Sequence, residues 1–367
     1  MTSLDDLDTP ALLFDLDVIE RNIADMAVVA HGAGVRLRPH TKTHKSPLLA
    51  AMQVDAGAHG ITVAKLGEAE VMVGAGLDDV LIAYPLVGEQ KLRRLRGLIE
   101  HASISVSLDA VEVAQGIGTV GIDAGVQIPV LVEVDTGHHR MGRPPGEHSV
   151  ALVREIAKVP GIQVVGLLTH AGHAYEAANP SQLRQLARLE ALDLIRTAER
   201  CRDEGIDLRE VSIGSTPTAR IGAQIDGVTE IRPGTYIFND VQQMRLGVAP
   251  ESACGARILT TVVARPTAQR FLIDAGSKSF SSDGGSGPPF AGRGVVVGRP
   301  DLVIDVTTEE HGVGHLASDP APLSIGERLE VIPLHVCSAV NLFDVAYGIR
   351  NGNVERTIPI AARGRSQ

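Results

Sequence analysis

Val35-Arg36-Leu37-Arg38-Pro39-His40-Thr41-Lys42-Thr43-His44-Lys45 carries a short apolar run into a basic segment pinned by a proline. The change from an apolar run to turn residues reads as a strand giving way to a loop. Two lysines and two histidines crowd the stretch from His40 to Lys45. A lysine at the end of a buried strand is partly desolvated, which lowers its pKa and makes the amine a better nucleophile toward aldehydes. The other reading of the same residues is a solvated basic loop, or a simple anion site.

Outward from this stretch a rhythm appears. Apolar, β-branched runs occur at Val35–Leu37, Gly60–Ala64, Val80–Ala83, Ser103–Ser107, Ile128–Val134, Ile162–Leu168, Val211–Ile213 and Glu230–Phe238. Helical spacing separates most of them, as in Gly67–Gly76, Glu89–His101, Glu147–Lys158 and Ser181–Glu204. Strands alternating with helices predict βα units and a parallel sheet. Eight such units fit a closed (β/α)8 TIM-type barrel; an open doubly wound sheet is the alternative on pattern alone.

After Asn239 the pattern changes to β-rich runs without long helical spacers: Arg257–Ala264, Arg270–Asp274, Gly294–Gly298, Leu302–Thr307 and Arg328–Pro333. Asn351-Gly352-Asn353 between two further runs, Val345–Ile349 and Val354–Ile358, is a hairpin signal. The strand Thr9–Asp15 has no place among the eight and is expected in the same all-β domain. Residues 16–243 are therefore predicted to form the barrel, and residues 1–15 and 244–367 the β domain. Ser281–Gly294 reads as a flexible tract, either a lid or a plain surface loop. Gly116-Ile117-Gly118-Thr119-Val120-Gly121 matches a dinucleotide fingerprint in letters only, because it follows a helical stretch and opens no helix.

Composition narrows the function. The 34 Lys and Arg against 44 Asp and Glu give a formal net charge of −10, unlike a general nucleic-acid binder. Aromatic residues make up 3% with no tryptophan, which disfavours a stacking platform for single strands. No apolar run is long enough for a transmembrane helix. The opening Met1-Thr2-Ser3-Leu4-Asp5-Asp6 lacks a signal-peptide pattern, and three cysteines give no disulfide framework. A cytoplasmic, reduced protein is expected.

Several strand ends carry chemistry. Asp135 and Arg140 follow Ile128–Val134, where they read as a charged-ligand site or as a loop ion pair. His170 ends Ile162–Leu168, a catalytic or a structural histidine. Gly214-Ser215-Thr216 follows Val211–Ile213: a glycine with two hydroxyls suits a phosphate nest, or a turn alone. Gly234 and Tyr236 would close the same pocket. His335-Val336-Cys337 lies at i and i+2 in a β-rich region, so both side chains would point one way along a strand and reach one metal. The alternative is a core histidine beside a buried cysteine.

Pro39-His40-Thr41-Lys42-Thr43-His44-Lys45 resembles the Pro-His-x-Lys-x-His-Lys signature of fold-type III pyridoxal-phosphate enzymes, in particular the D-serine dehydratase and D-threonine aldolase group. The resemblance implies an alanine-racemase-like barrel plus β domain, with Lys42 forming the Schiff base and His44 assisting as acid or base. Asp135–Gly142 is similar to the family's Asp-x-Gly-x-x-Arg-x-Gly element, which implies that Arg140 approaches the cofactor phenolate oxygen. His170 would lie against the ring, and Tyr175 would reach the pyridine nitrogen. Gly214-Ser215-Thr216-Pro217 resembles the dehydratase branch, whereas D-threonine aldolases more often show Gly-Gly-Thr-Gly. His335-Val336-Cys337 resembles the dehydratase zinc pair; aldolases usually carry His-x-Asp, suited to manganese. The implied activity is a pyridoxal 5′-phosphate- and metal-dependent lyase on D-3-hydroxy amino acids, by D-serine dehydratase-like β-elimination. Retro-aldol cleavage of the D-threonine or 3-hydroxy-D-aspartate type is the close alternative. A racemase or a non-catalytic cofactor-binding protein is a more distant one. The resemblance also implies a homodimer.

Overall fold

The computed structural model describes residues 2–283, 290, 292–317 and 322–367. The chain enters through strands β1 (Thr2–Ser3) and β2 (Ala11–Asp15), followed by the helix Leu16–Ala33. Eight strands then alternate with helices: β3 (Arg36–Leu37), β4 (Ile61–Val63), β5 (Asp79–Ile82), β6 (Ser103–Leu108), β7 (Ile128–Glu133), β8 (Ile162–Leu168), β9 (Glu210–Ile213) and β10 (Glu230–Ile231). They form one parallel sheet in the order β3-β10-β9-β8-β7-β6-β5-β4. A parallel bridge between His40 and Thr62 joins β3 to β4 and brings the sheet round on itself. This is the (β/α)8 barrel expected from the alternating pattern.

Local chemistry sets the connecting helices. Pro180–Asp203 begins with the Asn179 side chain accepting the Gln182 N–H, and Pro180 occupies the first turn. Leu183, Ala187, Ala191, Leu194 and Ala198 then recur at helical spacing and are buried. The glycine run at Gly116–Gly121 lies inside the helix Val111–Ala124. A side chain on Gly118 or Gly121 would run into the carbonyls of Pro160 and Gly161, so those glycines allow a close helix-to-loop approach.

One expected strand is shorter than its sequence suggests. Glu230–Phe238 pairs only as far as Ile231, because Pro233 has no N–H for the ladder. The chain turns there and forms a 3-10 turn at Thr235–Ile237.

The second unit is antiparallel in the main, built from β11 (Ala256–Thr267), β12 (Arg270–Ile273), β13 (Gly294–Val296), β14 (Leu302–Thr307), β15 (Gly312–Leu316), β16 (Arg328–Pro333), β17 (Val345–Arg350) and β18 (Asn353–Pro359). With β1 and β2 they make a ten-stranded sheet. Strand β2 lies inside it, antiparallel to β11 through Leu12 and Ile258 and parallel to β17 through Leu13 and Tyr347. Leu12, Leu13 and Phe14 are fully buried, each contributing about 1.5–3 kcal/mol of hydrophobic stabilisation. Asn351 and Gly352, with φ of 50° and 73°, form the two-residue hairpin turn between β17 and β18. Strand β15 had no clear sequence signal, because Gly312 and Gly314 interrupt it. Neither position has room for a side chain: a Cβ on Gly312 would meet the Ile273 side chain and the Ala275 carbonyl, and one on Gly314 the Phe271 ring and the Val303 carbonyl.

By compactness the barrel unit comprises Ala24–Lys42, Pro47–Gly234 and Gly364–Gln367, and the β unit the residues through Ile23, Thr43–Ser46 and Thr235–Arg363. Of the tract 281–294 expected to be flexible, residues 284–289 and 291 lie outside the described residues. No helix among the described residues is long and apolar enough to cross a membrane.

Candidate active site

Within the barrel unit, the segment carrying Lys42 is pinned from two sides. His40 N–H donates to the Pro233 carbonyl at 2.9 Å, just beyond β10. Thr41 Oγ1 donates to the Thr62 carbonyl, and Thr62 Oγ1 to the Arg38 carbonyl, both at 3.1 Å. Lys42 follows on a 3-10 turn and is partly buried. Burial and the Lys42 ammonium, with Arg232 and His170, hold the His40 imidazole well below its ordinary range.

His170 stands just past β8. Its Nδ1–H donates to the Gly214 carbonyl at 2.5 Å, which ties the end of β8 to the turn after β9. Burial first, then the Lys42 charge, holds this imidazole well below its ordinary range too. Gly214, Ser215 and Thr216 follow β9 and are buried. A Cβ on Gly214 would come within 2.9 Å of the Arg232 Cβ, so the backbone approaches there as only glycine permits. Ser215 Oγ and Thr218 Oγ1 share a hydrogen bond of 2.8 Å. Gly234 follows β10, the strand paired with β9. Tyr175 lies on the 3-10 turn Gly172–Glu176 after β8. Asp135 is occupied within its own loop, accepting the Gly137 and His139 N–H groups at 2.9 Å. Arg140 lies 3.6 Å from Glu133, the last residue of β7.

The barrel interior carries charges that sequence reading missed. Arg38 donates to Glu230 at 2.8 Å and to Asp79 at 2.5 Å. Ser212 Oγ donates to Glu230 at 2.6 Å, while Arg232 donates to Ser212 Oγ at 2.5 Å and to the Thr169 carbonyl at 2.7 Å. Burial raises the Glu230 carboxyl, but Arg38 and Ser212 outweigh it and hold the group below its usual range. Glu230-Ile231-Arg232 does alternate charge and apolar residue, the one sequence signal that both charged side chains share a face of the strand.

The β unit holds the other candidates. His44 is fully buried, and its Nδ1 accepts the Ser46 N–H at 3.2 Å. Tyr236 is buried on the 3-10 turn Thr235–Ile237. His335 and Cys337 are brought together, though not along a strand: β16 stops at Pro333, and Val336–Val340 is a short helix. His335 sits before that helix in extended backbone and Cys337 lies in its first turn, so they converge by a strand-to-helix turn. His335 Nδ1 meets Asp283 Oδ2 at 2.5 Å, and Ser338 Oγ donates to the same carboxylate oxygen at 2.5 Å. The imidazole also bonds Cys337, whose Sγ lies 3.3 Å from Thr43 Oγ1 and 3.7 Å from Thr235 Oγ1. Burial opposes the charged His335, but Cys337, Asp240 and Asp283 overcome it and push the imidazole up to about 10. Burial likewise raises Cys337, and His335 more than offsets this, bringing the thiol below its ordinary value. Among the described residues no group of three or more His, Cys, Asp or Glu side chains is placed to hold a metal ion together.

The family described as alanine racemase, N-terminal domain, matches residues 14–242, and a serine dehydratase domain matches residues 255–349. The chain belongs to this fold-type III pyridoxal-phosphate family. It is 36% identical to the D-threo-3-hydroxyaspartate dehydratase of Delftia sp. (strain HT23), over 90% of this chain and 91% of that one. It is 33% identical to the D-threonine aldolase of Arthrobacter sp., over 98% of this chain and 94% of that one. Both relatives are lyases. The crystal structure of D-threonine aldolase from Filomicrobium marinum matches with a TM-score of 0.91 at 32% identity, covering 99% of this chain and 98% of that one. A cysteine-to-alanine variant of the D-threo-3-hydroxyaspartate dehydratase, in a metal-free form, matches with a TM-score of 0.89 at 33% identity, covering 98% and 99%.

Proposed function

We propose that this chain is a pyridoxal 5′-phosphate- and divalent-metal-dependent lyase of D-amino acids bearing a β-hydroxyl, and that it dehydrates them. The observation that carries the reading is the His335, Cys337 and Asp283 arrangement. A metal-binding imidazole commonly hands its other ring nitrogen to a carboxylate, and Asp283 takes Nδ1 in this way. The remaining nitrogen and a thiol drawn toward thiolate are a borderline-soft donor pair that suits zinc, with manganese second. The barrel fits the cofactor equally: a partly desolvated lysine, neutral buried imidazoles, and a turn at Gly214–Thr216 that a Cβ would fill.

When bound, the cofactor supplies an electron sink at Cα and the metal a Lewis acid for the departing hydroxyl. The chain does the rest. Lys42 would hold the cofactor covalently, and its amine would take the Cα proton of the bound substrate. Gly214, Ser215, Thr216 and Gly234, with Tyr236, hold the phosphate. His170, a neutral imidazole, would lie against the cofactor ring, Arg140 would attend the phenolate oxygen, and Tyr175 the pyridine nitrogen. His335 and Cys337 hold the metal. We assign His44 a supporting role, because its Nδ1 is engaged by Ser46.

The likeness to D-threonine aldolases supports a second reading, retro-aldol cleavage, in which the same metal orients the β-hydroxyl for deprotonation. A substrate panel of D-serine, D-threonine, 3-hydroxy-D-aspartate and D-alanine separates them. A 2-oxo acid with ammonia marks dehydration, glycine with an aldehyde marks retro-aldol cleavage, and L-alanine marks racemisation. Retro-aldol products alone would overturn the dehydratase reading. We also read the protein as cytoplasmic and as a homodimer; cell fractionation would check the first and sedimentation of the purified chain the second.

A further inference from the structure

The helix Pro180–Asp203 packs through Ala187, Ala191 and Leu194, yet its buried face also carries a carboxyl group, Glu190, which is 0% exposed. Burying a carboxyl among apolar side chains is costly unless it makes bonds that nothing else supplies. Glu190 Oε1 accepts the Ala171 N–H at 3.2 Å and the Gly214 N–H at 3.3 Å. Ala171 is the residue after His170, past the end of β8, and Gly214 the residue after Ile213, past the end of β9. Neither N–H has a strand ladder to enter, and a buried amide without an acceptor is rare. The Gly214 carbonyl in turn accepts His170 Nδ1–H. One carboxyl oxygen thus closes a ring of bonds through Ala171, His170 and Gly214. Thr218, which shares a hydrogen bond with Ser215, stands on the same carboxyl.

We infer that Glu190 is a positioning residue, which fixes the Gly214–Thr216 turn for the cofactor's phosphate and latches His170 to that turn. The inference rests on the reading above, in which this turn binds the phosphate. Burial raises the Glu190 carboxyl above its usual range, against the pull of Thr218, the two N–H groups and Arg232. Both backbone bonds use a carboxyl oxygen as acceptor, so an amide oxygen at the same place should do the same.

The test compares two ligands that differ only in the phosphate. The full chain, freed of cofactor, is titrated with pyridoxal 5′-phosphate and with pyridoxal, following absorbance, for the native protein, Glu190→Ala and Glu190→Gln. Loss of the acceptor for two buried amides should weaken pyridoxal 5′-phosphate about tenfold or more in Glu190→Ala, and pyridoxal far less. Glu190→Gln should restore near-native affinity for both. Should Glu190→Ala fail to fold, Glu190→Met fills the same volume without an acceptor and carries the comparison. Native affinity in the Ala or Met variant overturns the inference. So does an equal loss for both ligands that Gln does not rescue, since that marks a role in folding alone. If the native chain itself binds pyridoxal 5′-phosphate no better than pyridoxal, the phosphate turn is wrong, and this inference falls with it.

Discussion

In the barrel, His170 stands beside the Lys42 ammonium, and burial and that charge hold its imidazole well below the ordinary range. In the β unit, burial works against the charged form of His335 in the same way, yet its imidazole is pushed up to about 10. The side chain is the same and desolvation has the same sign, so the neighbours decide. Lys42, Arg140 and His138 surround one; Cys337, Asp240 and Asp283 surround the other. The barrel site is built around a lysine and disfavours a second cation. The β-unit site collects thiol and carboxylates and favours one. In the free protein a proton on His335 meets that demand.

The most severe way to break this contrast is to remove the barrel's cation. Lys42→Ala should lower kcat by about 10³-fold or more, since anchor and base are lost together. Borohydride reduction and peptide mapping of the native protein should find the modification on Lys42 and none on Lys45. A modified Lys45 would displace the whole register.

Removing a carboxylate from the β-unit site comes next. Asp283→Asn should weaken zinc about 10- to 100-fold, as loss of a ligand-orienting carboxylate does elsewhere. Cofactor content should stay native, because the bond being tested lies within the β unit. Zinc affinity unchanged in Asp283→Asn by competition with a chromophoric chelator would remove the support for the metal pair.

The barrel histidines make a pH prediction. His40 and His170 have folded pKa values below the unfolded value of about 6.5. Below that pH the unfolded chain binds protons that the folded barrel refuses, so their contribution to stability is present above about pH 6.5 and lost as the pH falls. Each histidine should contribute a slope of at most about 1.4 kcal/mol per pH unit. The groups facing them, Lys42, Arg232, Arg140 and His138, oppose protonation, apart from the Thr62 and Gly214 backbone bonds. Thermal unfolding between pH 7.5 and 5.5 should show the loss, and His40→Gln with His170→Gln should flatten it. An unchanged slope in the double variant would assign the acid sensitivity elsewhere.

The smallest expected effect is at Thr43, whose hydroxyl lies 3.3 Å from Cys337 Sγ. Thr43→Val should cost about 1 kcal/mol of zinc affinity, the worth of one ordinary hydrogen bond. A loss as large as that of Asp283→Asn would mean that the hydroxyl does more than support the sulfur.

All eight barrel strands were legible in the sequence, because a strand buried on both faces must be an apolar run bounded by turns. The errors fell where local pattern yields to a neighbour. Glu230–Phe238 reads as one run until Pro233 removes a ladder donor. Strand β15 hides because Gly312 and Gly314 serve the side chains packed on them. His335 and Cys337 were found as a pair but assigned to a strand, since spacing alone does not reveal where β16 stops. Asp283 and Glu190 carry no local signal. Asp283 lies 52 residues from His335, and Glu190 19 from Ala171 and 24 from Gly214, so only the folded chain shows what they hold.

Strand β2 has a consequence for how the molecule is made. Its partners are β11 and β17, so Leu12 waits for Ile258, and Leu13 for Tyr347, to leave the ribosome. All eight barrel strands are complete by Ile231 and can close while Ala11-Leu12-Leu13-Phe14, apolar and uncharged, is still bare on both edges. An unpaired strand of that composition invites association between nascent chains. Pairing of β2 with β11 and β17 therefore comes last in the order of synthesis, and a substitution that places a charge on an edge of Ala11–Phe14 should reduce association of the nascent chain.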